Sequence, residues 1–243
     1  MSRSNVPVLV PTNSPLKGSA VSVLMLSQVY APDEASVGQL LEDLARTLIA
    51  KGRSVQVITS DRGYDEPRRR FTHLETRFGV SVRRTFAPAA PKRSVFRRFL
   101  GGIIFLIGAC WHVLWAPRFD VLLVSTSPPM APLVGVVLAR LRGARSVLWL
   151  TDIHPDEAVA AGVATRGSTV ERLARQWTRW ALKHADVVVT LDGQMKQRAL
   201  DDGARPDQLR VIPPWSSIDH AATGAEVTAF RESQGWEGRR VVM

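Results

Sequence analysis

The chain has a single cysteine in 243 residues, Cys110, and it lies inside an apolar stretch. One cysteine excludes an intramolecular disulfide and a cysteine-based zinc site, and it suits a reducing compartment such as the cytosol. A secretory signal is also missing: the first twenty residues carry Pro7, Pro11 and Pro15 in a broken apolar stretch, without a basic start or a continuous apolar centre. They read as a loose tail. The G-x-G-x-x-G turn of a nicotinamide-binding sheet is absent too, since the loop from Tyr30 to Gly38 has Gly38 as its only glycine. No internal repeat or low-complexity tract is evident. What is plentiful is apolar material, 45% of the chain, enough to bury the core of one large α/β domain.

Acidic residues are scarce where basic ones gather. The net charge is +10, and between Arg62 and Arg98 eleven Lys/Arg face three Asp/Glu, so 11 − 3 = 8 of the excess charges fall there. From Phe99 to Trp115 no charged side chain follows, apart from His112 when protonated. A basic run (Lys92, Arg93, Arg97, Arg98) abutting an apolar helix that bears Trp111 and Trp115 is the pattern of a surface resting on anionic lipid. Arg97, Arg98, Ile104, Leu106, Trp111 and Trp115 are therefore the expected membrane contacts. Nucleic acid is disfavoured as a partner, because the aromatics sit in the apolar segment and not among the arginines. The stretch is marginal for spanning, which takes roughly 20 apolar residues. The expected location is cytoplasmic, peripheral on the inner face of the cell membrane; an ordinary crossover helix buried on a sheet is the plainer alternative.

Strand and helix patterns alternate. Val21 to Ser27, Val55 to Ser60, Gly79 to Phe86, Asp120 to Ser125, Ser146 to Thr151, Ala185 to Leu191 and Leu209 to Pro213 read as strands. Val37, Leu40, Leu41, Leu44 and Leu48 recur at helical spacing, with Ser36 and Gln39 as a capping box and Gly52 as the stop. Further helices are expected across the Phe99 to Trp115 stretch, up to Arg142-Gly143, from Thr169 to His184, from Asp192 to Gly203, and around Val227 to Ser233. Repeated right-handed crossovers predict a Rossmann-like parallel sheet with helices on both faces. Ligand chemistry in such a sheet sits at the carboxyl ends of the strands. Asp152, His154, Asp156 and Glu157 lie where the strand ending near Thr151 opens into a loop.

Taken together, the loop Tyr30-Ala31-Pro32-Asp33 to Gly38, the turn Ser127-Pro128-Pro129, Asp152 with Pro155 and Asp156, the strand Ala185-Asp186-Val187-Val188-Val189, and Ile212-Pro213-Pro214-Trp215 resemble the amino-terminal half of a family 4 glycosyltransferase. The likeness runs from about Val21 to Asp219 and is nearest to enzymes of exopolysaccharide and O-antigen assembly. It implies a GT-B arrangement, in which one Rossmann-like domain binds the acceptor, often a lipid-linked sugar, and a second binds the nucleotide sugar. The expected layout is a tail over 1–20, an acceptor-binding domain over 21–219, and a linker with the start of a missing donor domain over 220–243. On that layout the chain is inactive alone; the alternatives are a noncatalytic acceptor-binding module or half of a split transferase.

Retaining glycosyl transfer develops charge at the anomeric carbon and on the leaving diphosphate, so it needs donors for phosphate and an oriented acceptor hydroxyl. Asp152 and His154 are the candidate catalytic residues. Asp152 matches the family's strand-end acid, and its carboxylate can accept a hydrogen bond from a sugar hydroxyl. His154 stands where tryptophan is common in relatives, and Asp156 replaces glutamate. Tyr30, Asp33, Ser36, Gly38, Ser127, Pro128, Asp156 and Trp215 are the candidate substrate contacts. Gly38 is placed to let helix amides meet the diphosphate; Ser36 departs from a frequent family glycine, and Pro214 from asparagine. The short spacing of His154, Asp156 and Glu157 is poor ligand geometry, so neither metal nor cofactor is expected.

Overall fold

The computed structural model describes residues 21–64, 66, 68–88, 95–152, 167–215 and 223–240, with only the backbone of 95–98 and 170. The chain divides into two compact units, Met1–Pro213 and Pro214–Met243.

The first unit is built on an eight-stranded sheet. Its strands are β1 (Ser22–Leu26), β2 (Ser54–Ser60), β3 (Leu74–Arg77), β4 (Val80–Thr85), β5 (Val121–Ser125), β6 (Arg145–Trp149), β7 (Val187–Thr190) and β8 (Leu209–Val211). Their order in space is β3-β4-β2-β1-β5-β6-β7-β8. All pairs are parallel except β3 with β4. The helices of this unit are α1 (Ser36–Ala50), α2 (Val95–Leu114), α3 (Ala131–Leu141), α4 (Thr169–His184) and α5 (Gly193–Asp201). The expected Rossmann-like α/β architecture is the one observed, with one addition. Leu74–Arg77 forms an antiparallel edge strand joined to β4 through Phe78 and Gly79, whose φ values of 50° and 81° are both positive, as a two-residue hairpin turn requires.

The order of strands follows from the helices. α1 buries Leu41 and Ala45 on one face of the sheet, together with Met25, Val57 and Val82. α2, α3, α4 and α5 contribute Phe105, Val136, Ala181 and Ala199 to the core on the other face. A right-handed crossover on opposite faces sends β2 to one side of β1 and β5 to the other, so the switch in direction falls between β1 and β5. Two glycines bring helices close to the sheet. A Cβ on Gly108 of α2 would lie 2.1 Å from Thr85 Oγ1, and one on Gly135 of α3 would lie 2.4 Å from a methyl of Val124. Two aspartates staple strand starts at the opposite end: Asp120 accepts from Ser22 N–H at 2.8 Å, and Asp186 from Ser146 N–H at 2.8 Å.

Helix ends are set by local chemistry. Ser168 accepts from Glu171 N–H at α4, Asp192 from Met195 N–H at α5, and Gly52, Gly143 and Gly203 stop helices with φ of 72°, 65° and 97°. The expected capping box at α1 is not formed. Ser36 is already the first helical residue, Ala35 is the N-cap, and Gln39 donates to Glu34 O at 3.1 Å instead.

The second unit contains α6 (Gly224–Ser233), closed at its start by a capping box between Thr223 and Glu226. Phe230 meets Trp236 edge to face, ring centres 5.8 Å apart. Trp215 belongs to this unit and is partly exposed.

Candidate functional site

Three strand ends meet at the switch between β1 and β5, the position where open α/β sheets leave a crevice. Gln28, one residue past Ser27, is held on both sides: its N–H donates to Ser127 O at 3.1 Å, and its carbonyl accepts from Ser60 N–H at 3.3 Å. Beneath it Ser125 Oγ donates to Ser27 Oγ at 2.9 Å in buried surroundings. Ser127 Oγ reaches Gln28 Oε1 at a longer 3.4 Å. Gln28 was not among the residues expected from sequence, and its only signal there is a polar side chain directly after a buried strand.

A second polar chain joins β5 to β6. Thr126 Oγ1 and Thr151 Oγ1 are 2.7 Å apart, and Thr151 N–H donates to Thr126 Oγ1 at 3.3 Å. Thr151 Oγ1 then donates to Asp152 Oδ2 at 3.4 Å. Thr151 has one hydroxyl proton and gives it to Asp152 Oδ2, so Thr126 is the donor of the 2.7 Å pair and the hydroxyl protons run in one direction, ending on the carboxylate. Thr126 and Asp152 also share a shallow, mostly apolar hollow with Pro129, Pro132, Leu150 and Thr178. Asp152 is half-buried there.

The other expected residues divide. Ser127 and Pro128 sit at the crevice, and Pro128 packs on α2, where a Cβ on Gly102 would be 3.0 Å from Pro128 Cβ. Tyr30 is a correction: its side chain is 1% exposed within the core under α1, and its hydroxyl has no hydrogen-bond partner among the described residues. Burial first, and then the charge of Glu42, push that phenol far above its usual range. Gly38 serves packing. A Cβ there would stand 3.2 Å from Tyr30 Cα, and its N–H already donates to Ala35 O at 2.9 Å. Ser36 is exposed on the first turn of α1. His154 and Asp156 lie outside the described residues, and Trp215 lies in the second unit. Among the described residues no three His, Cys, Asp or Glu side chains gather as metal ligands.

Asp33 is a latch. Its Oδ1 accepts from Ala35 N–H at 3.3 Å and its Oδ2 from Tyr64 N–H at 2.7 Å, tying the loop after β1 to the loop after β2. Asp33→Ala is therefore expected to lower the stability of the first unit by about 1–2 kcal/mol, measured by urea denaturation. An unchanged midpoint would show that the carboxylate is held ready for a ligand and not used by the fold.

Arg84, on β4, is the second residue that sequence reading missed. It is 2% exposed and donates to Ala31 O at 2.6 Å, Ser60 O at 3.3 Å and Glu75 at 2.6 Å. In sequence it is one of the eleven basic residues between Arg62 and Arg98, and nothing local marks it as buried. Two of the expected membrane contacts also sort by burial: Leu106 is buried in the core at 6% exposure, which corrects that expectation, and Ile104 is half-buried. Trp111 and Trp115 are 63% and 72% exposed. No helix of the described residues is long and apolar enough to cross a membrane.

The family model described as a glycosyl transferase 4-like domain matches residues 37–215. A protein of Escherichia coli (strain K12) named for glycosyl transfer in colanic acid biosynthesis is 26% identical over 230 residues, covering 87% of this chain and 54% of its own length. A Pseudomonas aeruginosa protein named as a glycosyltransferase is 28% identical over 127 residues, or 52% of this chain and 32% of that one. The chain thus spans about half the length of the first of these relatives and a third of the second. Among solved structures, sucrose-phosphate synthase from Thermosynechococcus elongatus superposes with a TM-score of 0.53 at 16% identity, over 81% of this chain and 48% of that one. The Anabaena protein HepE, solved with UDP-glucose, gives 0.53 at 18% identity, over 88% and 50%. Both share the fold.

Proposed function

The chain belongs to the glycosyl transferase 4-like family, and on that premise we propose that it is the acceptor-binding half of a sugar transferase of polysaccharide assembly. In this reading a nucleotide sugar is held by a second domain, and a lipid-linked or glycan acceptor enters the crevice formed by β1, β5 and β6. The observation that supports it is the directed chain Thr126, Thr151, Asp152 at the strand ends. It supplies a half-buried carboxylate, oriented by a neighbouring hydroxyl, that can accept from an acceptor hydroxyl. Gln28 and Ser127 offer further polar contacts on the adjoining strand pair. The work is done at the inner face of the cell membrane, where a lipid-linked acceptor is presented and the protein is held peripherally on anionic lipid.

Titration with polyprenyl-diphosphate sugars and with nucleotide sugars, with and without a supplied second domain, tests this. The expected result is acceptor binding by the chain itself, with nucleotide-sugar binding and transfer only when the second domain is added. Acceptor binding that the second domain does not convert into transfer would favour a noncatalytic binding module. Absence of acceptor binding in both settings would overturn the proposal.

A further inference from the structure

Beside the Asp152 carboxylate the helices do not close fully on the sheet. Leu150, just after β6, lines a hollow together with Pro129 and Pro132 at the start of α3, Thr178 and Leu182 of α4, and Ala199 of α5. Leu150, Leu182 and Ala199 are all buried in the core, so close packing fixes the shape of the space they leave. That space is small, about 20 Å³. A single water takes roughly 10–15 Å³, whereas pockets that enclose a whole small ligand begin at about 300 Å³. The hollow therefore admits one small group and excludes a sugar ring or a prenyl chain.

Two of the polar groups on its lining are already engaged. Thr126 Oγ1 accepts from Thr151 N–H and donates to Thr151 Oγ1. Asp202, just after α5, is buried and accepts from Arg179 Nε at 3.3 Å. A bound water needs two to four polar partners, so the space suits an apolar group better. Asp152 is different. A carboxylate has about four acceptor positions, and Thr151 Oγ1 takes one of them. A hydrogen-bond acceptor thus stands beside an apolar space of methyl size, and an acetamido substituent matches that pair. Its amide is planar and trans, which puts the methyl carbon on the same side of the C–N bond as the N–H and turns the carbonyl oxygen to the other side. A carboxylate and an apolar hollow set side by side read both features at once. A plain hydroxyl supplies the donor and leaves the hollow empty.

We propose that this hollow is a specificity subsite for the methyl of an acetamido group on the acceptor sugar, with Asp152 accepting from the amide N–H. The proposal rests on the acceptor-binding reading and names the class of acceptor, an N-acetylated sugar. The remaining positions of the carboxylate still receive the attacking hydroxyl, which this arrangement places on the ring carbon next to the one that carries the acetamido group.

Calorimetric titration of the full chain in detergent micelles tests it, with three probes that share one polyprenyl diphosphate and differ only in the sugar: N-acetylglucosamine, N-formylglucosamine or glucose. The N-acetyl probe is expected to bind about tenfold more tightly than the glucosyl probe. The N-formyl probe keeps the N–H and lacks the methyl, and it should bind about fourfold more weakly than the N-acetyl probe. Ala199→Leu fills the hollow from α5, and Thr178→Leu fills it from a half-buried position on α4. Each should abolish the advantage of N-acetyl over N-formyl. Circular dichroism checks the fold, and Thr178→Leu carries the test if the core does not tolerate the larger side chain at Ala199. Equal binding of the three probes by the parent, or an N-acetyl advantage that survives filling, would overturn the subsite and leave the acceptor-binding reading standing. Absence of binding by all three would overturn that reading and the subsite with it.

Discussion

Arg84→Met is expected to destabilise the first unit by about 2–3 kcal/mol, seen as a lower urea midpoint. The guanidinium is buried between three partners from different segments, Ala31 O, Ser60 O and Glu75, and lies 4.8 Å from the centre of the Phe71 ring. Methionine fills much of the volume and removes the cost of a buried charge. It also strands two carbonyls and a carboxylate that have lost their donor. Glu75 retains 26% side-chain exposure and can recover water, which holds the loss below that of a fully buried broken pair. Arg84→Lys should recover part of the stability, because one ammonium cannot reproduce the fork or the ring stacking. Pairing Arg84→Met with Glu75→Gln should cost less than the sum of the two single changes. Strict additivity would mean that the ion pair contributes nothing and that the carbonyls carry the effect. The consequence reaches the crevice, since Ala31 belongs to the loop that Asp33 latches to Tyr64 N–H.

How far these features could be read in advance depends on whether a local pattern encodes them. α4 was legible at both ends, Thr169 and His184, because a serine cap, a first-turn glutamate and periodic apolar residues agree. β3 carries no such pattern. Leu74 is 61% exposed on an edge strand whose other members are polar, so apolar alternation is missing and only pairing with β4 defines it. The two sides of α2 were indistinguishable by periodicity, since both are apolar. What decides is glycine: Gly102 marks the side that must approach Pro128 and buries Leu106 four residues on, and Gly108 marks a separate strip held close to Thr85. Asp152 was legible as a strand-end acid. Gln28, Thr126 and Thr151 were not, because their alliance depends on the register that sets Val124 beside Leu148 and Leu26 beside Val124. The role given to Tyr30 was lost to packing, as an aromatic beside a helix start fills the core before it serves a ligand.

The largest functional effect is expected at Asp152. With a second domain supplied, as the acceptor-binding proposal requires, Asp152→Asn should lower kcat for transfer by about a hundredfold or more, with little change in the urea midpoint. Asparagine keeps the shape and can still accept from Thr151 Oγ1. It loses the negative charge that would strengthen the hydrogen bond to an acceptor hydroxyl as that hydroxyl attacks. Thr151→Val separates orientation from charge. It removes the bridging hydroxyl between Thr126 and Asp152 but leaves the carboxylate, so a loss of roughly tenfold is expected, the equivalent of about one hydrogen bond. The effect should appear in kcat, because the hydroxyl chain aims the carboxylate and does not itself hold the acceptor. Had Asp152 served only to shape the turn after β6, the ranking would invert: Asp152→Asn would leave kcat near the parent value and lower the unfolding midpoint. Measuring kcat, acceptor KM and the urea midpoint on the same two variants distinguishes a carboxylate that meets the acceptor from one that merely closes a strand.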